Sequence, residues 1–291
     1  MEIVFHLGVH CTDEERLLRG LLKNRQLLSD ASIAVPGPAR YRNLLRDTVI
    51  RLKGEVASDE TQAMVLEHLL DSDTTERLIL AWDGFLSLPA WVLRDSQFYP
   101  AAAERIRGLR NIFPDHNCEF HLAIRNPAGF LPALHAQQPG KRVGAFLDGT
   151  DIHALYWSEM IDRIRAENPT VPLTVWCDED TPLIWPEVLQ AVAGTSPDVA
   201  LTGGNDMLAT LMDGDGIRRM ETYLASHPPA TEVLRRRVVS VFLSKFALPG
   251  ANVLEAAFAD WTQETVDQLT ARYDEDVTRI AQRDDIDFIA S

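Results

Sequence analysis

Residues 2–18 read EIVFHLGVHCTDEERLL, and the order of residue types in this stretch decides the architecture. Ile3 to Leu7 is apolar, rich in β-branched and aromatic side chains, and closes on Gly8. Such an unbroken apolar run marks a strand buried on both faces rather than an alternating, half-solvated one. Thr12 stands where a helix N-cap belongs, with Glu15 three residues on as the second half of a capping box. Leu17, Leu18, Leu21, Leu22, Leu27 and Leu28 then recur at helical spacing. The chain therefore opens as strand, tight loop, helix.

Working outward, the same alternation continues. SIAVPGPARY (32–41) is an extended piece broken by Pro36, Gly37 and Pro38, and amphipathic helices follow over 40–53 and 58–71. RLILAWDGFL (77–86) contains the second strand, and a helix over 100–113 begins at Pro100. Residues 118–138 read as strand, turn, helix, with Asn126 as cap and Pro127 in the first turn. A turn-rich 138–150, a helix over 151–168, a strand over 171–177 and a helix over 184–194 with Gly194 at its end come next. The remainder is helical in pattern over 216–226, 231–246 and 251–282, with IDFI (286–289) as an edge strand. Strands separated by helices imply an α/β fold with a central parallel sheet and crossover helices. The expectation is a single domain over 1–291, an α/β core over 1–180 and a mainly helical part over 181–291.

With 291 residues and 46% hydrophobic content, the chain is long enough for a sizeable core. A net charge of −15 repels nucleic acid and anionic membranes, so a small molecule or another protein is the expected partner. Three cysteines at distant positions, Cys11, Cys118 and Cys177, do not make a disulfide framework. MEIVFHLG lacks a basic and then apolar leader, and no apolar run approaches a membrane span, so a cytoplasmic location is expected.

FHLGVHCTDEERLL together with HLAIRNPAGFLPALHAQ resembles the bacterial sulfotransferase family. That family has a P-loop-like α/β fold and moves a sulfuryl group from 3′-phosphoadenosine 5′-phosphosulfate (PAPS) to a hydroxyl or amine. Its first strand typically ends in a pattern like H-[IL]-G-x-H-K-T-G-[ST]-[ST], which His6, Leu7, Gly8, His10 and Thr12 match here. The resemblance implies nucleotide contacts at Gly8, Thr12 and Arg125. It implies a general base at Asp83, just after the second strand. The family's second anion contact, a Ser eight residues beyond the Arg, is Ala133 here.

The departures fall on the chemistry. A phosphosulfate loop uses a Lys, a Gly and two hydroxyls at the helix N-terminus; this chain has Cys11, Asp13, Glu14 and Glu15 there. One like-charge contact at about 4 Å costs about 4 kcal/mol at an effective dielectric near 20. That outweighs the roughly 0.3–1 kcal/mol a helix dipole offers an anion. Carboxylates in a first turn favour the helix itself, so the loop reads as one turned over to capping. The expected function is accordingly a ligand- or partner-binding member of the family with a degenerate PAPS site. An active PAPS-dependent sulfotransferase is the alternative, with Asp83 as base and His10 as substitute cation. A metal-dependent enzyme using Asp13, Glu14, Glu15 and His10 is the second alternative.

Other features carry bland and functional readings side by side. His6, His10, Cys11 and His121 fall on strands that can be neighbours, as core histidines or as a zinc set. CDEDTP (177–182) is a capping loop or a Mg²⁺ site. DGDG (213–216) lacks the spaced carboxylates of a calcium loop. Trp82, Trp91, Phe98 and Tyr99 are core packing or the walls of an acceptor pocket. LRRRVV (234–239) is an exposed helix face paired with nearby acids.

Overall fold

Six strands pair side by side in the order β2-β3-β1-β6-β7-β8, every pairing parallel, in the computed structural model, which describes residues 1–196, 199–250 and 258–291. The strands are β1 (Glu2–His6), β2 (Ile33–Ala34), β3 (Arg77–Ala81), β6 (Asn117–Ile124), β7 (Leu173–Cys177) and β8 (Asp287–Ile289), and a separate antiparallel hairpin joins β4 (Leu93–Arg94) to β5 (Gln97–Phe98). The helices are α1 (Arg16–Lys23), α2 (Arg25–Asp30), α3 (Pro38–Leu52), α4 (Asp59–Leu69), α5 (Ala102–Ile112) and α6 (Pro127–Ala136). They continue as α7 (Val143–Leu147), α8 (Trp157–Glu167), α9 (Thr181–Ala193), α10 (Gly214–Ser226), α11 (Glu232–Phe246) and α12 (Gln263–Ala281).

β1 is buried on both faces because its side chains alternate between two apolar layers. Ile3, Phe5 and Leu7 join the layer under α3, α4, α5 and α8; Val4 joins the opposite layer under α1 and α9. Phe5 stacks on Phe120 of β6 at 5.1 Å and meets Phe85 edge-on at 5.4 Å. The α/β expectation therefore holds, with helices on both sheet faces.

The chain leaves β1 toward β2 and leaves β6 toward β7, in opposite directions from adjacent strands. A crevice opens at such a switch point beyond the strands' carboxyl ends, where ligands of open α/β sheets bind. Loop 7–15, residues 125–126 and residues 178–180 all border it.

Local differences from the sequence expectation have physical causes. The helix after the loop breaks at Asn24, whose amide donates to the Gly20 and Thr202 carbonyls. The capping box does not form. Thr12 Oγ1 donates back to the Val9 carbonyl, and Cys11, Glu14 and Glu15 turn the chain with positive φ (58°, 49° and 62°). Asp13 caps instead, its Oδ2 accepting from the Leu17 N–H at 2.8 Å. The helix expected over 151–168 starts only at Trp157, after a single 3-10 turn at Ile152–Ala154. The turn-rich 138–150 contains α7. Of the helix expected over 251–282, α12 is seen, while 251–257 lie outside the described residues. IDFI forms the parallel edge strand β8. Among the described residues, no helix is long and apolar enough to cross a membrane.

Candidate functional site

Gly8 is where the site begins. Its φ is +80°, and a Cβ there would lie 3.1 Å from the Asp83 Cβ and 3.2 Å from its Cα. Only glycine lets the end of β1 pass this close to the end of β3 in a left-handed conformation. Strand pairing does not stop at Gly8. Leu7 N–H donates to the His121 carbonyl (2.9 Å), Ala123 N–H to the Gly8 carbonyl (2.7 Å) and Val9 N–H to the Ala123 carbonyl (2.9 Å). Those backbone donors are spent on β6.

The next donor is spent on a side chain. His10 N–H donates to the Tyr99 hydroxyl at 3.0 Å, and that hydroxyl lies 2.8 Å from His10 Nδ1. The hydroxyl accepts the first bond, and the tautomer of the ring sets the direction of the second. Burial pushes the His10 pKa down against the opposing pull of Asp83. A neutral imidazole is a poor stand-in for the Lys of a phosphate loop, which speaks against the substitute-cation role. Burial likewise raises the Cys11 thiol to about 12, so it is not a thiolate at neutral pH.

Each acid of the loop is held by a partner of its own chain. Asp13 takes the Leu17 N–H, Glu14 pairs with Arg16 at 2.9 Å, and Glu15 pairs with Arg42 at 2.6 Å. All three line a narrow cleft of about 80 Å³ that they share with His6, Cys11, Thr12, Trp82 and Asp83. Small-molecule pockets run to roughly 300–1,000 Å³, well above this volume. The Asp83 carboxylate is exposed at its mouth and makes no hydrogen bond or ion pair among the described residues. His6 Nε2 is buried without a partner in the cleft wall, its ring stacked on Trp176 at 5.8 Å.

Arg125 reaches the loop from the end of β6. Its Nη1 donates to the Cys11 carbonyl, and its Nε lies 3.9 Å from Asp178 Oδ2. Asp178, 15% exposed, is raised to about 7, chiefly by burial and against the lowering effect of Arg125. The neighbouring Glu179 accepts from the Asn126 N–H at 2.7 Å and from the Tyr273 hydroxyl at 2.9 Å. Asn126 itself caps α6 through the Ala128 N–H, as its sequence position predicts. Asp276 does the same service for α8, accepting from the Trp157 and Ser158 N–H groups at 2.7 and 3.1 Å.

The structure thus brings Gly8, His10, Thr12, Asp83 and Arg125 to one end of the sheet. Thr12 turns its hydroxyl back onto the Val9 carbonyl, and Arg125 engages the chain's own oxygens. His6 and His121 are register partners on adjacent strands, but His121 Nε2 bonds Glu119 at 2.9 Å. Among the described residues, no group of three His, Cys, Asp or Glu side chains is placed to hold a metal ion. CDEDTP supplies Asp178 and Glu179 to the crevice, a role that its position after a strand made legible. Arg42 and Tyr273 carried no sequence signal, and the aromatic reading of Tyr99 gave no sign that its hydroxyl meets His10, since each arrives from a distant segment.

Phe98 and Tyr99 pack against Trp157, Phe98 at 4.1 Å, as core rather than as pocket walls. Trp91 is exposed. Arg235 and Arg236 pair with Glu187, while Arg237 stays exposed. No family model matches the chain, and no curated protein or solved structure matches it either.

Proposed function

We propose that this chain is a sulfotransferase-like protein that does not use PAPS in that family's manner. It binds a different ligand or a partner protein at the end of its sheet. The carrying observation is the bond from Leu17 N–H to Asp13 Oδ2 at 2.8 Å. The first turn of α1, where a phosphate would collect backbone donors and dipole, already holds an anion built into the chain. Glu179 on the Asn126 N–H and Asp178 beside Arg125 repeat the arrangement at the second anion position. A phosphosulfate arriving here would have to displace three carboxylates and enlarge an 80 Å³ cleft.

The test is a thermal-shift titration with 3′-phosphoadenosine 5′-phosphate, since a ligand bound to the native state stabilises by mass action. The expected result is no shift at millimolar nucleotide. A shift that saturates in the micromolar range would overturn the proposal. A loop carrying Cys11→Lys, Asp13→Gly, Glu14→Ser and Glu15→Ser is expected to gain the response.

One observation favours the second reading, an active PAPS-dependent sulfotransferase. Asp83 stands unpartnered at the cleft mouth, where a general base would deprotonate an acceptor hydroxyl. Transfer of labelled sulfate from PAPS to any hydroxyl or amine acceptor, lost in Asp83→Asn, would establish it.

A further inference from the structure

Outside the crevice, α10 and α11 form an antiparallel pair with a small core of their own, in which Leu208, Met212, Met220 and Val239 are buried. The pair is pinned at one end. A Cβ on Gly216 would fall 2.4 Å from the Phe246 Cβ, and Asp213 N–H donates to the Phe246 carbonyl at 3.0 Å. From that pin along the pair runs an open groove of about 1,030 Å³. Its α10 wall runs from Asp215 to Ser226, about 17 Å at 1.5 Å per residue, or three helical turns.

The groove has an apolar floor and a basic rim. Tyr223 (43% exposed) and Val241 (52% exposed) stand in the floor beside Phe242 and Phe246. Arg218, Arg219, Arg237 and Lys245 ring it against the single carboxylate of Asp215. Arg218 and Arg219 share Asp215 at 3.2 and 2.7 Å; Arg237 and Lys245 make no ion pair among the described residues. In a chain of net charge −15, a cationic rim around exposed apolar side chains departs from the rest of the surface.

We propose that this groove docks an acidic amphipathic helix of a partner protein. The lining residues of α10 recur at i, i+3, i+4, i+7, i+8 and i+11, so they present one straight face parallel to α11. Two helices with an unpartnered apolar seam accept a third as in a helix bundle, with apolar anchors at i, i+3/i+4 and i+7 in the seam. Four cations to one acid on the rim select carboxylates on the incoming helix and speed its approach. A long polyanion, in contrast, meets the field of the acidic remainder of the molecule.

The probe is a fluorescein-labelled synthetic peptide of about four helical turns. It carries Leu and Phe at the anchor positions and Glu elsewhere, and is titrated into the full chain by anisotropy. The expected result is saturable binding that weakens as salt rises. Affinity should fall at least tenfold in Arg218→Glu/Arg237→Glu and in Val241→Asp. These sites are exposed, and unchanged circular dichroism confirms that the variants fold. A peptide with Lys in place of Glu should not bind. The proposal is overturned by absence of saturable binding, by equal binding of the Lys peptide, or by variants that bind as well as the parent. It is also overturned if anionic phosphatidylglycerol vesicles bind the groove and the peptide does not. Self-association in sedimentation that these variants abolish would replace the partner helix with a second copy of the chain.

Discussion

The crevice at the end of β1 and the groove between α10 and α11 are built on opposite terms. In the crevice, Asp83 and His6 Nε2 apart, donors and charges meet partners from the chain itself: Asp13 on the α1 N-terminus, Glu15 on Arg42, Asp178 on Arg125, Glu179 on the α6 cap. In the groove, cations and apolar side chains are left facing water. A buried donor without a partner costs about 1–3 kcal/mol, so the enclosed region is satisfied internally at most of its groups. A solvated rim bears no such cost, and its unspent groups are free for a partner.

Truncation should separate the two regions most widely. Phe5→Ala removes a fully buried ring stacked on Phe120, and the expected loss is about 3–5 kcal/mol in urea unfolding. Val241→Ala in the groove floor, already half-exposed, should cost under about 1 kcal/mol. Comparable losses would mean that the groove is a core.

Titration gives the next contrast. The Asp178 carboxyl is raised above its ordinary 3.8 to about 7, mainly by burial. Its contribution to stability is therefore full below about pH 4 and is lost as pH rises through about 7. At about 1.4 kcal/mol per unit, the change is at most about 4 kcal/mol. Asp178→Asn should remove this slope between pH 4 and 7 in denaturant midpoints measured across pH; an unchanged slope would show that the carboxylate is effectively solvated.

The caps come third. Asp276 is 2% exposed and satisfies two N–H groups and the Ser158 hydroxyl, so Asp276→Ala should cost about 2 kcal/mol. Asp13→Ala should cost about 1 kcal/mol, and inorganic phosphate should then restore part of the loss by entering the vacated position. No phosphate response would count against the proposal that Asp13 occupies an anion position at the α1 N-terminus. Smallest of all, Asp215→Ala in the groove should change stability by about 0.5 kcal/mol or less, because its pairs with Arg218 and Arg219 are exposed.

Much of the scaffold is legible in the sequence. The apolar run of β1, the leucine spacing of α1, Asn126 before Pro127 and the edge strand IDFI are local patterns, and local patterns survive folding. β4 and β5 were missed because two residues carry no period. Thr12 with Glu15 reads as a capping box, but positive φ at Cys11, Glu14 and Glu15 hands the task to Asp13. Of the crevice, the residues after each strand were legible as a set, because parallel sheets put their ligand ends together. Their partnerships were not.

Residue order was enough for the strand–helix alternation, the parallel sheet, the acidic character of the first loop and the basic run of α11, since each depends on period, charge or neighbours in sequence. Tertiary structure alone settled how those charges are spent. Glu179 meets Asn126, Asp276 meets Trp157 and Tyr99 meets His10 across gaps in sequence that no spacing rule spans. A carboxylate's effect on an anion site depends on distance and burial, and both exist only once the chain has closed on itself.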